Sequence, residues 1–165
     1  MANKTDKTQL QAYEDSLQLR KALQELFTDS FVIERLEYRR LILDFAIIVK
    51  DRLIEVAHVT TQAEFLLEFD KLGRIKKNSF KKHVVFMKGE FISNAFYFMA
   101  PSRLLPVDTI PEKYGLITYK DDLTITIKKE AEYVERDYLT RDNYKTLAKK
   151  LTLKLYEDQQ NKIRL

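Results

Sequence analysis

The sequence predicts an α/β domain with a mixed central β-sheet flanked by helices, and the order of its segments is the main reason. The aliphatic, β-branched runs 41–49 and 53–59 have the length and composition of buried strands. The long segment 5–27 has no glycine or proline and carries leucines at helical spacing. Because strands and helices intermix without strict alternation, we expect a mixed sheet.

The local signals place each element along the chain. After a first helix at 5–27, the predicted strands are 31–36, 41–49, 53–59, 94–99, 114–119 and 123–128. Thr60 or Thr61 can cap a helix running to about Leu72, with Glu64 in a capping box and Gly73 ending it. A last helix is expected over 142–161, with leucines 147, 151, 153 and 155 toward the core.

Length and composition limit the possible classes of protein. A chain of 165 residues with 45% hydrophobic content fits one domain over 1–165 with N-terminal and C-terminal helices. The absence of cysteine excludes disulfides, thiolate zinc sites and cysteine nucleophiles. With only two histidines, a catalytic metal would be held by oxygen atoms, which favours Mg²⁺ or Mn²⁺. The polar start and the lack of a long apolar stretch predict a cytoplasmic protein with no membrane partner.

Two carboxylates on adjacent predicted strands are the main candidates for chemistry. If Lys50-Asp51 forms a two-residue hairpin turn, Asp44 and Glu55 project on one face as diagonal neighbours about 7 Å apart. That spacing suits two carboxylates converging on one divalent ion. By the same parity, His58 points to the other face.

These residues resemble the core of the PD-(D/E)xK nuclease superfamily, in the manner of its MmcB-like DNA-repair members. The resemblance covers roughly 39–119. It rests on the Asp44 hairpin followed by Ile54-Glu55-Val56-Ala57, the helix at 64–71, the Lys82-His83 pair, and the segments 94–101 and 110–117. The core motif is short, and the ordered later segments make the likeness more specific.

The resemblance implies a restriction-endonuclease-like fold and metal-dependent hydrolysis of phosphodiester bonds in DNA. Asp44, Glu55 and the backbone carbonyl of Val56 would hold Mg²⁺ or Mn²⁺, which polarises the phosphate and activates a water molecule. In this family the first helix often adds an acidic ligand, for which Glu14 is the candidate and Glu25 the alternate. Either glutamate could equally be an ordinary surface residue.

Ala57 departs from the family pattern, which has lysine at this position. That lysine orients the attacking water and stabilises developing negative charge, which a methyl group cannot do. Three interpretations follow: a deliberate Lys-to-Ala inactivation of a working nuclease, a natural loss that leaves a binding protein, or replacement by a basic group from elsewhere. We favour the first because the rest of the site pattern persists.

A basic segment after Gly73 is the predicted nucleic-acid contact, with DNA as the expected partner. Its members are Arg74, Lys76, Lys77, Lys81, Lys82 and His83. The alternative is a merely solvated face. His83 could also assist the site in place of the missing lysine.

The competing functional hypothesis is a non-catalytic scaffold that kept the nuclease fold to bind nucleic acid or protein. In a third possibility, the strand at 94–101 and the C-terminal helix dock another chain, giving a homodimer or a complex with a protein partner.

Overall fold

A six-stranded mixed β-sheet forms the centre of the protein. The computed structural model describes residues 4–38, 40–75, 78–88, 93–135, 145–150, 152–153 and 156. The elements in chain order are α1 (Lys4–Leu26), β1 (Ser30–Tyr38), β2 (Leu41–Val49), β3 (Arg52–His58), α2 (Gln62–Glu68), β4 (Leu72–Ile75), β5 (Asn78–Lys81), α3 (Lys82–Met87), β6 (Ala95–Pro101), β7 (Gly115–Tyr119) and β8 (Ile125–Lys129). A short 3-10 turn, Val107–Thr109, lies between β6 and β7.

The strand order in the sheet is β1-β2-β3-β6-β7-β8, and β4 pairs with β5 in a separate two-stranded ribbon. β1, β2 and β3 form an antiparallel meander, β3, β6 and β7 run parallel, and β8 returns antiparallel to β7. The predicted two-residue turn is confirmed, because Val49 pairs with Arg52 and Ala46 with Glu55. Lys50 in this turn has φ 55°, as hairpin turns of this length favour.

The two faces of the sheet bury separate groups of apolar side chains. On one face, Leu19 and Leu23 of α1 pack with Ile54, Val56 and Tyr97. The aromatic cluster on the other face includes Ala57, Phe65, Phe86, Phe96 and Phe98, so α2 and α3 cover that side. Alternation along β3 and β6 explains why neighbouring residues serve different faces.

Side-chain alternation along β2 is interrupted near Asp44. Leu43 and Ala46 belong to the same core cluster although they are three positions apart. The ladder between β1 and β2 skips the rung between Arg35 and Asp44, and Arg35 has φ 51°, which is uncommon for a residue with a side chain. The prediction that Asp44 and Glu55 lie on the same face assumes regular alternation along β2, and this assumption fails at Asp44.

The predicted α/β class with a helix-flanked mixed sheet is confirmed, and most strand positions agree with the prediction. Thr61 caps α2 and Glu64 completes its capping box, also as predicted. The predicted end of this helix is wrong, because α2 ends at Glu68 and Gly73 lies inside β4. The β4–β5 ribbon and α3 are absent from the sequence-based prediction.

Helical residues at 145–150, 152–153 and 156 fall within the predicted last helix. Leu147 is buried as expected, but Leu153 is 55% exposed and does not face the core. Leu151 and Leu155 lie outside the residues whose side chains are described. Within the described ranges, no helix combines the length and apolar character needed to cross a membrane.

Candidate functional site

A buried cluster of charged side chains lies between the sheet and the helices α2 and α3. Lys82 Nζ donates a hydrogen bond to Glu55 Oε1 over 2.6 Å and a second one to Glu68 Oε1. Lys71 Nζ lies 2.5 Å from Glu68 Oε2. Lys82, Glu55 and Glu68 are each exposed by 2% or less, so water compensates their charges little, and they depend on one another and, at Glu68, on Lys71.

The three buried charged residues lie on three different elements. Glu55 sits mid-strand in β3 on the side opposite Ile54 and Val56, whereas Glu68 is the last residue of α2. The capping box of Thr61 and Glu64 fixes where α2 begins and thereby where Glu68 falls. Lys82 opens α3 directly after the β4–β5 ribbon, and its backbone N–H donates to Lys71 O over 3.1 Å.

An aromatic shell surrounds the charged cluster. His83 Nδ1 lies 3.0 Å from Tyr114 Oη, and the His83 ring packs near Phe69 and Phe96 with centroids 4.8 and 4.9 Å away. Lys82 Nζ also lies over the Phe96 ring, 5.0 Å from its centroid. The shell keeps water away, which strengthens the ion pairs and makes any unpaired charge costly.

Burial and pairing shift the protonation equilibria of the cluster. Burial raises the pKa of Glu55 despite the opposing charge of Lys82. Burial works against the charged form of Glu68 as well, but the long 3.5 Å contact with His83 and the charges of Lys82 and Lys71 outweigh it and lower the pKa of Glu68 to about 2. Burial would lower the pKa of Lys82, yet the two carboxylates prevail and raise it. Burial lowers the pKa of His83, so this ring is neutral at neutral pH.

The cluster fits a cation poorly while Lys82 occupies it. Among the described residues, Glu55 Oε2 and His83 Nε2 are buried without a hydrogen-bond partner. His83 Nε2 lies 3.5 Å from Glu68 Oε1, too long for a strong hydrogen bond. Within the described part of the chain, no group of three histidine or acidic side chains is arranged to hold a metal ion. The ammonium of Lys82 takes the place between Glu55 and Glu68 that a metal would need.

The predicted metal ligands take different partners. Asp44 Oδ2 accepts a hydrogen bond from the backbone N–H of His58 over 3.0 Å, while Glu55 pairs with Lys82. Val56 lies in the core of β3. Glu14 is exposed on α1, as is the alternate Glu25. The assignment of these residues to a metal stays a prediction.

Ala57 lies in the aromatic cluster with Phe65, Phe98 and Leu116 and is 1% exposed. It shares its face of β3 with Glu55 by strand alternation. The position expected to carry lysine is therefore packed against apolar side chains. A different basic residue, Lys82 of α3, contacts Glu55.

Three members of the predicted basic segment, Lys81, Lys82 and His83, have described side chains. Lys82 and His83 are 1% and 4% exposed, so their side chains lie inside the protein and not on its surface, and their assignment to nucleic acid stays a prediction. Their place in the ion-pair cluster is the physical reason for this burial. Lys81 is exposed and lies 3.5 Å from Asp70. The side chain of Arg74, and Lys76 and Lys77 altogether, lie outside the described residues.

Sequence reasoning missed Glu68 as a member of the cluster. Its partners Glu55 and Lys82 are 13 residues before it and 14 after it, on other elements. The available signal was an acidic residue close to the end of a helix otherwise ending in Phe-Leu-Leu, on the same helical side as the buried Phe65.

A second feature lies on the opposite face of the sheet, where α1 covers the ends of β3 and β7. His58 Nε2 and Tyr119 Oη are 3.0 Å apart there, and both residues line a groove of about 590 Å³. Burial lowers the pKa of His58 although the nearby carboxylates of Asp44, Glu64 and Glu34 oppose this. This groove was not predicted.

The fold of this chain is similar to that of one solved structure of unknown function. No protein-family model matches the chain, and no curated protein matches it. Among solved structures, the chain is similar to the SPO1766 protein of unknown function from Silicibacter pomeroyi, with 14% sequence identity and a TM-score of 0.59. The match covers 86% of this chain and 84% of that chain. At this level of identity the likeness shows a shared fold alone.

Proposed function

We propose that this chain binds nucleic acid on a nuclease-type fold without hydrolysing it. The observation that carries the proposal is the position of Lys82 Nζ, which donates to both Glu55 and Glu68. A catalytic metal would compete for these oxygens, and the ammonium already supplies the positive charge they need. The near-complete burial of all three groups also separates them from a phosphate in solution.

The basic character around α3 supports binding. Lys81 precedes the helix, Lys88 follows it, and both are exposed. Two lysines presented this way would contact phosphates by charge and contribute affinity without sequence preference. In this proposal Lys82 and Glu55 maintain the structure of the surface, while the exposed lysines make the contacts.

The proposal is tested by fluorescence anisotropy of labelled single-stranded and duplex DNA at low and moderate salt. We expect binding that weakens with salt and does not require Mg²⁺. Lys81→Glu combined with Lys88→Glu should weaken it about tenfold, since two phosphate contacts would become repulsions. The matched control reverses Lys120 and Lys128, which are exposed around β8. Absence of DNA binding would reject the proposal and leave a protein-binding scaffold.

A second candidate is a metal-dependent DNA nuclease of the PD-(D/E)xK type, consistent with a role in DNA repair. The favouring observation is that Lys82 Nζ lies 2.6 Å from Glu55, so a basic group from elsewhere stands beside the motif glutamate where Ala57 cannot act. In this interpretation Lys82 would move aside and stabilise developing negative charge. Asp44, which accepts from the His58 N–H, would have to turn toward Glu55 for the two carboxylates to hold Mg²⁺ or Mn²⁺.

Cleavage assays with Mg²⁺ or Mn²⁺ distinguish the candidates. The wild-type chain, Lys82→Met and Ala57→Lys are compared on single-stranded, duplex and branched DNA, with Asp44→Ala as the blank. Cleavage by wild type that Lys82→Met abolishes, under conditions where circular dichroism shows the variant to be folded, would indicate a nuclease with Lys82 as its lysine. Cleavage by Ala57→Lys alone would indicate an inactivated nuclease. The first proposal expects cleavage by none of them.

A further inference from the structure

The groove under α1 has the location and size of a ligand site. β3, β6 and β7 run parallel, and His58 and Tyr119 are the last residues of β3 and β7. Both side chains line the groove, which has a volume of about 590 Å³. Ligands of open α/β sheets commonly bind outside the carboxyl ends of parallel strands, in pockets of this volume.

Hydrogen bonds hold His58 and Tyr119, two residues that line the groove, in place. His58 Nε2 lies 3.0 Å from Tyr119 Oη, and the two ring centroids are 5.5 Å apart. Asp44 Oδ2 accepts from the backbone N–H of His58 and so fixes the end of β3. A site built on strand ends tied in this way needs little reorganisation when a ligand binds.

The walls of the groove carry groups of both charges. Arg20 and Asp15 come from α1, and Arg35 and Glu34 come from β1. Ser16 Oγ donates to Glu34 over 2.6 Å, which links the two walls. Arg35 adopts φ 51° where the β1–β2 ladder is interrupted, and such strained residues concentrate at binding sites.

We infer that this groove binds a nucleotide unit that ends in a phosphate. Tyr13 and Tyr119 offer aromatic surface for a base, a guanidinium such as that of Arg35 suits the phosphate, and Asp15 can accept from ribose hydroxyls. The unit can be a free mononucleotide or the phosphorylated 5′ end of a strand. The strand-end form rests on the proposed nucleic-acid binding, whereas the free form does not.

Isothermal titration calorimetry with defined ligands tests the inference. The phosphorylated ligands are AMP and a short 5′-phosphorylated oligonucleotide, and their partners without phosphate are adenosine and the unphosphorylated oligonucleotide. Arg35→Gly removes the guanidinium at a backbone conformation that glycine adopts freely. Arg40→Gly is the matched control, because Arg40 is also exposed, has φ 63° and lies outside the lining of the groove.

We expect at least one phosphorylated ligand to bind saturably, more tightly than its partner without phosphate. Arg35→Gly should weaken that binding at least tenfold and leave the unphosphorylated partner nearly unaffected, while Arg40→Gly changes neither. Tyr13→Leu should weaken adenosine and AMP alike. Binding of AMP assigns the site to free nucleotides, and binding of the phosphorylated oligonucleotide alone assigns it to strand ends.

The inference is overturned if neither phosphorylated ligand binds, if removing the phosphate makes no difference, or if the two glycine variants weaken binding equally. Its failure is distinct from that of the proposed function. DNA binding that depends on Lys81 and Lys88 can persist when AMP does not bind, and AMP can bind when DNA does not.

Discussion

Lys82 compensates the charge of two buried carboxylates. Its ammonium contacts Glu55 from the sheet and Glu68 from α2, within a shell of aromatic rings. Buried ion pairs contribute little net stability compared with apolar residues of similar size, but removing one partner is costly. The loss of stability should therefore be largest when Lys82 is replaced and both carboxylates remain.

Lys82→Met should destabilise the protein by about 3–5 kcal/mol at neutral pH, because it leaves Glu55 and Glu68 buried with less compensation. Urea unfolding at pH 7 measures this change. The control is Lys81→Met, an exposed neighbour, which should shift stability by less than about 0.5 kcal/mol.

Adding Glu55→Gln and Glu68→Gln to Lys82→Met should recover much of the loss, since neutral amides cost less to bury than unpaired carboxylates. If Lys82→Met is as mild as Lys81→Met, the cluster is not the compact ion-pair network described.

Ala57→Lys should destabilise the protein by about 3 kcal/mol or more, because position 57 packs against Phe65 and Phe98 with almost no exposure. Thermal unfolding followed by circular dichroism gives the change, with Ala12→Lys, at an exposed position of α1, as the control. A fully stable Ala57→Lys protein would mean that this pocket opens to admit an ammonium group.

At the scale of elements, the Tyr97 ring of β6 lies against the backbone at the start of β7. Gly115 pairs with Tyr97, and a Cβ on Gly115 would come within 2.3 Å of Tyr97 ring carbons and 2.9 Å of the Ala131 backbone N. Glycine is required here by space, because the Tyr97 ring lies across the start of the neighbouring strand. The ring is anchored by its hydroxyl, which donates to Glu130 over 2.7 Å.

Gly115→Ala should therefore lower the free energy of unfolding by about 3 kcal/mol, the upper range for overpacking. Guanidinium unfolding measures it, and Ser102→Ala in the exposed turn after β6 serves as the control. An unchanged midpoint for Gly115→Ala would show that Tyr97 can move aside at no cost.

For the whole molecule, we expect the free energy of unfolding to fall in acid as Glu68 becomes protonated. The pKa of Glu68 is about 2 in the folded protein, against an ordinary value of 4.5 for a glutamate. A carboxyl group with a depressed folded pKa stabilises above its unfolded pKa, and this contribution of about 3 kcal/mol is lost as pH falls from 4.5 toward 2. Glu55, whose pKa burial raises, acts in the opposite direction.

Thermal midpoints of wild type and Glu68→Gln between pH 7 and pH 2.5 test this expectation. The stability advantage of the wild type should shrink across the acid range, because the glutamine side chain of the variant has no proton to gain. Parallel pH curves for the two proteins would contradict the assigned state of Glu68. An exposed carboxyl variant, Asp121→Asn, controls for the change in net charge.

Features set by local sequence were predictable. The Lys50-Asp51 turn and the capping box of Thr61 and Glu64 depend on a few adjacent residues, so their positions are confirmed. The partners of Lys82 could not be predicted, because its contacts depend on how the β4–β5 ribbon returns the chain to the sheet. Parity along β2 failed at the interruption near Asp44, where backbone conformation departs from a regular strand.

Glu55 and His58 lie on opposite faces of β3, and this arrangement limits how the strand can evolve. Glu55 faces the ion-pair cluster and His58 faces the groove, so a single strand of seven residues serves two chemical environments. Substitutions can alter either environment separately, since the sheet stands between them. Loss or gain of one residue within β3 would exchange the faces of all the residues beyond it. We therefore expect relatives to keep the length of this strand fixed and to change the residues on its two faces independently of one another.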